Sequence, residues 1–423
     1  PSRRRGALHG PIRSGPVGRS VKATRLGGTT ALLLGVGVSA CTAQGPADAM
    51  VISSDRVLVE LASELLPNLA ARSGLELREP VRLERRSRAQ LVRYLEEKLD
   101  EELPPAEARA TVEAYALLGL VPPDLDLRSV LLGLYTEQVA GFYEPDSTAL
   151  FVMDDQPEAA LEALLVHELV HALQDQNTDL TALTDRDLGN DRAIAAQAAI
   201  EGHATLVMLE FMTEQMAGVP IDLSEIPDFS AQMRPLLESM RSQFPALAGA
   251  PRIIQESLLF PYLEGTGYVQ SLWARGGRLA PFGPELPPST EQVLARGTAN
   301  EPVELELSAA EGRVVRDDVL GRLEIGVLLE EHGAGDAEIA DGWDGDHYVL
   351  VELADGTRGL GWYALWEDEQ ARTRFVSAMQ GVLPRLGAQV SLDTLEVAGH
   401  LATVLRVGNV GEITARIMAT DGP

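Results

Sequence analysis

The chain has 423 residues, 45% of them hydrophobic, enough for two or three packed domains rather than one. Its formal net charge is −28, and because residues 1–40 carry seven basic and no acidic side chains, the rest holds 28 basic against 63 acidic residues. A surface that negative repels phosphate backbones and sets nucleic-acid binding aside. The single cysteine, Cys41, excludes an intrachain disulfide framework and a multi-thiolate metal site.

Residues 1–28 are basic and rich in Gly, Ser and Pro, and an apolar run follows at 31–38. That run is too short to span a bilayer but fits the core of a signal peptide. It ends in Val38, Ser39, Ala40 and Cys41, which resembles a bacterial lipobox. The resemblance implies cleavage before Cys41 and a diacylglyceryl anchor on its thiol; an ordinary signal peptide with an incidental cysteine is the plainer alternative. Residues 1–41 are therefore expected to be an export signal and 42–54 a flexible tether. The expected location is the bacterial cell envelope, with the membrane met only through the N-terminal lipid.

Apolar positions at helical spacing predict a helix over 55–72, stopped by Gly74. Helices over 87–101 and 105–119 follow, started by Ser87 and by the Pro104–Pro105 pair. Pro122 and Pro123 break the chain before a helix at 127–140. Two apolar arms around Pro145, Asp146 and Ser147 predict a β-hairpin over 142–152. Long helices are expected at 157–176, 190–217 and 255–276, with a Pro-punctuated irregular stretch at 218–253. A Pro-rich segment at 281–288 and a Gly/Thr/Asn loop at 297–300 suggest a boundary between a domain at 55–300 and a small α+β domain at 310–423. In the latter, helices are expected at 317–332, 368–381 and 410–418, and strands at 348–353, 359–365, 389–396 and 401–407. Gly342-Trp-Asp-Gly-Asp346 reads as a structural turn, with a ligand or cation site as the alternative.

His167-Glu-Leu-Val-His171 falls inside the 157–176 helix. The i, i+4 spacing sets both imidazoles on one face, one turn apart, within reach of one metal ion. Glu168 sits beside the first of them and can act on water at that ion. Zinc accepts imidazole and carboxylate, and a catalytic site keeps one position for water. The segment before the motif is apolar, so the helix is expected to be buried, and buried His and Glu need partners. For a third ligand, Glu201 stands in an Ala-rich helix with small neighbours Ala198, Gly202 and Ala204, which would let that helix approach the first. His203, about 200° away around the helix, is a second-shell, outer-face or substrate-contact histidine. Asp175 is either a second-shell partner of a ligand imidazole or an exposed helix-end carboxylate.

Two histidines on one helix and a Glu from a following helix resemble the gluzincins, the thermolysin-like zinc metallopeptidases. The run His167 to Gln176 with Glu201-Gly202-x-Ala204 further resembles a poorly characterised bacterial zinc-peptidase-like family. The same likeness takes in Gly141 to Pro145, Tyr262-x-x-Gly265, Pro287 to Leu294 and Gly342 to Asp346. It departs where a His-Pro pair is expected after Leu294 and this chain has Ala295-Arg296. The resemblance implies a zincin-like, mostly helical domain in an α+β protein, with a β edge before the metal helix that aligns an extended peptide. It implies one Zn2+ held by His167, His171 and Glu201, Glu168 as general base, and a peptide or protein substrate. Tyr262 and Tyr268 are candidate oxyanion donors or core aromatics. The competing expectation is a non-catalytic zinc-containing envelope lipoprotein acting in binding or assembly.

Overall fold

The computed structural model describes residues 50–185, 188–226, 231–235 and 244–418. Cys41, and the tether as far as residue 49, lie outside them.

The chain folds into an α+β architecture. Its N-terminal part carries β1 (Val51–Ile52), α1 (Arg56–Ser73), β2 (Val81–Arg86), α2 (Arg88–Glu102), α3 (Pro105–Leu117), α4 (Leu127–Gln138), β3 (Gly141–Glu144), β4 (Ala149–Met153) and α5 (Glu158–Asp175). Next come α6 (Leu180–Leu183), α7 (Asn190–Ala217), α8 (Pro245–Gly249), α9 (Arg252–Gly276) and α10 (Thr290–Leu294). Local chemistry sets many of these starts. Asp55 accepts from the Val57 N–H at 2.9 Å to open α1, and Ser87 and Gln90 form a reciprocal capping box on α2.

The hairpin is one side of a larger sheet of order β1–β2–β4–β3. β3 and β4 are antiparallel, whereas β1, β2 and β4 run parallel. The strand β2 escaped the sequence reading because Val81-Arg-Leu-Glu-Arg-Arg86 buries only Val81 and Leu83 fully. Its partner β4, Ala149-Leu-Phe-Val-Met153, is buried on both faces. β3 is an edge of this sheet and lies against α5.

The C-terminal part holds β5 (Leu305–Ala309), β6 (Arg313–Asp318), α11 (Gly321–Glu331), β7 (Trp343–Glu352), β8 (Arg358–Trp366), α12 (Glu369–Met379), β9 (Val390–Val397), β10 (His400–Val407) and β11 (Ile413–Ile417). Five strands form an antiparallel sheet of order β6–β7–β8–β10–β9. Helices α11 and α12 pack on one face around Trp343, Trp362, Trp366 and Phe375. The β5–β11 ribbon covers the other through Leu305, Leu307, Val351, Tyr363 and Ile413.

Two expectations are corrected here. Residues 410–418 are not a helix: Ile413, Ala415 and Ile417 alternate with the exposed Thr414 and Arg416, a period of two that belongs to a strand. The helix expected from 317 begins at Gly321, because Arg313–Asp318 pairs with β7 as β6. The 300–310 boundary is not a loose linker. Val112 and Ala114 of α3, and Leu118 and Leu120 just after it, share one buried cluster with Leu320, Trp343 and Trp362, and each buried Val or Leu among them contributes about 1.5–3 kcal/mol.

Candidate metal centre

Helix α5 is buried nearly all round, with Leu161, Leu164, Leu165, Val166, Leu169, Val170 and Leu173 inaccessible to solvent. Within it His167, Glu168 and His171 are at most 2% exposed. Glu201 reaches them from α7 and is 1% exposed. Nε2 of His167 lies 3.1 Å from Nε2 of His171 and 3.1 Å from a Glu201 oxygen, and His171 Nε2 lies 3.5 Å from that oxygen. This His167–His171–Glu201 group could hold a metal ion.

The electrostatics suit a cation. Burial opposes charge on Glu201, but the two imidazoles outweigh it and hold the carboxyl down to about 2. The other Glu201 oxygen accepts from Gln197 Nε2 at 2.9 Å, so a residue one turn away on α7 orients the carboxylate. Glu168 behaves oppositely: burial pushes its carboxyl up to about 8. One Glu168 oxygen accepts the Tyr143 N–H of β3 at 2.9 Å, and the other is buried with no hydrogen-bond partner among the described residues.

Behind His171 runs a chain of hydrogen bonds. The Gln174 amide nitrogen donates to the Ile200 carbonyl at 2.9 Å, which fixes the orientation of the amide. Its oxygen therefore faces His171 Nδ1 at 2.7 Å. That nitrogen must donate, which leaves the Nε2 lone pair for a metal. The same amide nitrogen meets His203 Nδ1 at 3.1 Å, and His203 Nε2 donates to the Ser73 carbonyl at 3.0 Å. Burial lowers the His203 imidazole to about 4, in keeping with a neutral ring.

His203 is thus fully buried rather than on an outer face of the helix, and it is linked to His171 through the Gln174 amide. Asp175 does not reach an imidazole: it accepts the Tyr143 hydroxyl at 2.8 Å at the half-buried end of α5. The residue that orients His171 is its neighbour Gln174, which the sequence reading passed over. Its position seven residues after His167 and three after His171, on the same helical stripe, was the available signal.

The small residues of α7 serve a second neighbour besides α5, with which Ala198 and Ala204 share a buried core. A Cβ at Gly202 would lie 2.1 Å from the Gly265 carbonyl carbon, and one at Gly265 would lie 2.1 Å from the Ala198 carbonyl oxygen. Backbone contact therefore joins α7 to α9, and this brings Tyr262 of α9 to the centre. Its ring lies 6.3 Å from that of His167, and burial together with Glu201 and Glu168 holds its hydroxyl proton well above the ordinary range. Tyr268 is elsewhere: its hydroxyl donates to the Glu285 carbonyl at 2.7 Å in the packed core. Arg296, in the loop after Leu294, pairs with Glu264 at 2.8 Å.

The expected turn at Gly342–Asp346 is mostly strand: only Gly342 lies in the turn, and Trp343 to Asp346 open β7 with a register shift between Trp343 and Gly345, because they pair with β8. Asp346 accepts from the Leu320 and Gly321 N–H groups at 3.0 and 2.9 Å and from the indoles of Trp343 and Trp362 at 2.9 and 2.8 Å. Four donors saturate the carboxylate and leave nothing for a ligand.

Residues 309–418 match a domain of unknown function (DUF8575). The matched stretch is the five-stranded sheet with α11, α12 and β11, and none of the His167 group belongs to it. No curated protein and no solved structure matches the chain.

Proposed function

We propose that the protein is a zinc-dependent peptidase with a zincin-like, gluzincin-type centre. The observation that carries this reading is the spacing of the three donor atoms, 3.1, 3.1 and 3.5 Å. A tetrahedral ion with metal–ligand bonds of roughly 2.0–2.1 Å sets its ligands about 3.3–3.4 Å apart. The donor set suits the ion: two imidazoles and one anionic oxygen, with Gln174 holding the His171 Nδ1 proton so that a metal would displace only the Nε2 proton, which Glu201 favours against burial.

Zinc held by His167, His171 and Glu201 would act as a Lewis acid on water and on a substrate carbonyl. The chain's own residues do the rest. Glu168 is raised toward neutrality by burial, with one oxygen pinned by Tyr143 and the other without a partner among the described residues, as a base needs in order to take a proton and return it to a leaving amine. Tyr262 keeps its phenolic proton and stands beside the group as a donor to a developing oxyanion. An extended peptide laid against the edge strand β3 would pass the Glu168 carboxylate, which the Tyr143 N–H already touches.

A purely structural zinc site closes with four protein ligands. Among the described residues three converge, and His203 is committed to Gln174 and Ser73. That favours the enzyme over an assembly scaffold. Export and anchoring through Cys41 remain part of the same proposal; no described helix is long and apolar enough to cross a membrane.

The test is zinc content and peptide hydrolysis of the purified protein beside Glu201→Ala, His171→Ala and Glu168→Gln. About one zinc per chain, lost in the first two variants and kept in an inactive Glu168→Gln, is expected. A wild type that binds no zinc, or a Glu168→Gln with undiminished hydrolysis, would sink the reading.

A further inference from the structure

Helix α7 bears Glu201 and Gln197, yet its own start is poorly secured. Its N-cap is Gly189, at φ 92°, which offers no side chain to the first-turn N–H groups. The missing acceptor comes from the C-terminal domain. Asp318 Oδ1, at the end of β6, accepts the Asn190 N–H at 2.8 Å. Arg316 holds the other oxygen of Asp318 at 2.7 Å. Glu324 of α11 accepts Asn190 Nδ2 at 2.9 Å and the Tyr115 hydroxyl at 2.8 Å. Asp191 accepts the Thr290 N–H at 3.2 Å and is in turn covered by Gly321, where a Cβ would lie 1.7 Å from its carboxylate. Thr290 Oγ1 accepts the Leu323 N–H at 3.0 Å, closing the network onto α11.

We propose that the domain at 309–418 is a positioning clamp for the metal helix: Asp318 and Glu324 cap and register the start of α7, and so set Glu201 against His167 and His171. Two features carry this. First, the cap on the helix comes from a residue 128 positions away, in a separate sheet. Second, α7 runs unbroken from Asn190 through Glu201, so a fixed first turn fixes the carboxylate about 16 Å further on. An anionic cap also complements the positive end of the helix dipole. The effect on the metal rests on the zinc reading above; the clamp itself does not.

The experiment uses the full chain and the variants Asp318→Ala, Asp318→Asn and Asn190→Ala. Val404→Ala serves as the control, since Val404 is buried in the same domain on the far face of its sheet. Hydrogen exchange of metal-free protein reads the amides of 190–201, and competition with a chromogenic chelator reads the zinc Kd. In Asp318→Ala those amides exchange on the order of tenfold faster, and zinc binds on the order of tenfold more weakly. Asn190→Ala shifts both readings in the same direction by less. Asp318→Asn keeps an acceptor oxygen and stays near wild type, and Val404→Ala lowers Tm without moving either reading. Unchanged exchange over 190–201 in both Asp318→Ala and Asn190→Ala would overturn the clamp whatever zinc does. Faster exchange with an unchanged zinc Kd would overturn the positioning of Glu201. A wild type that binds no zinc refutes the zinc reading alone, and the exchange data still decide the clamp.

Discussion

Gln174 and His171 are joined by a buried hydrogen bond of 2.7 Å between the amide oxygen of one and Nδ1 of the other. Through it the orientation of the His171 imidazole is tied to the Ile200 carbonyl and, by way of His203, to the end of α1. If His171 binds a metal, as proposed, a neutral amide takes the place behind it that a carboxylate often fills.

Gln174→Leu conserves volume but leaves the His171 N–H, the Ile200 carbonyl and His203 Nδ1 buried without this partner. Stability in urea titration is expected to fall by about 3 kcal/mol, and zinc affinity by roughly 10–100-fold. Equal zinc affinity in the variant would reduce Gln174 to a packing residue.

Gly202→Ala sets a methyl 2.1 Å from the Gly265 backbone and pushes α7 off α9. A loss of about 2–3 kcal/mol is expected in thermal or urea unfolding. Gly133→Ala is the opposite case, because Gly133 is exposed inside α4 and nothing lies within 4 Å of its added Cβ. That change should stabilise by up to about 1 kcal/mol. A tolerated Gly202→Ala would contradict the backbone contact between the two helices.

Burial pushes the Asp191 carboxyl up from 3.8 to about 7, and Glu324 nearby up to about 8. Folded values above the unfolded ones mean the native state binds these protons more tightly. Their stabilising contribution is complete below about pH 4 and is lost as pH rises through 7 to 8. For the buried Asp191 the span corresponds to roughly 4 kcal/mol at most. The protein should therefore unfold at a higher temperature at pH 5 than at pH 8, and Asp191→Asn should flatten that slope. Parallel Tm–pH profiles for the two proteins would rule Asp191 out as the source.

What could be read from the chain alone was whatever depends on spacing within one element. Apolar positions every three to four residues marked α5, α7 and α9, and the i, i+4 histidines with the adjacent Glu168 marked the face that carries the candidate metal group. Glu201 was visible because a carboxylate in an Ala-rich helix has no local reason to be there. Asp175, Tyr268 and the Gly342–Asp346 segment show the limit: each had a suitable residue type at a suitable spacing, and burial and partners settled its place. Gln174 turned inward where Asp175 did not, because one is fully buried and the other lies at the rim.

The tertiary structure alone decided which elements meet. The β1–β2–β4 parallel pairing, the backbone contact of Gly202 with Gly265, and the capping of α7 by Asp318 all join residues far apart in sequence. Helical and strand periods report only which face of a segment is apolar, and say nothing of the partner that covers it. The residue types of the candidate metal group were therefore written in the sequence. Their convergence to within 3.5 Å was fixed by the packing of α5, α7 and α9 and by a cap from the C-terminal sheet.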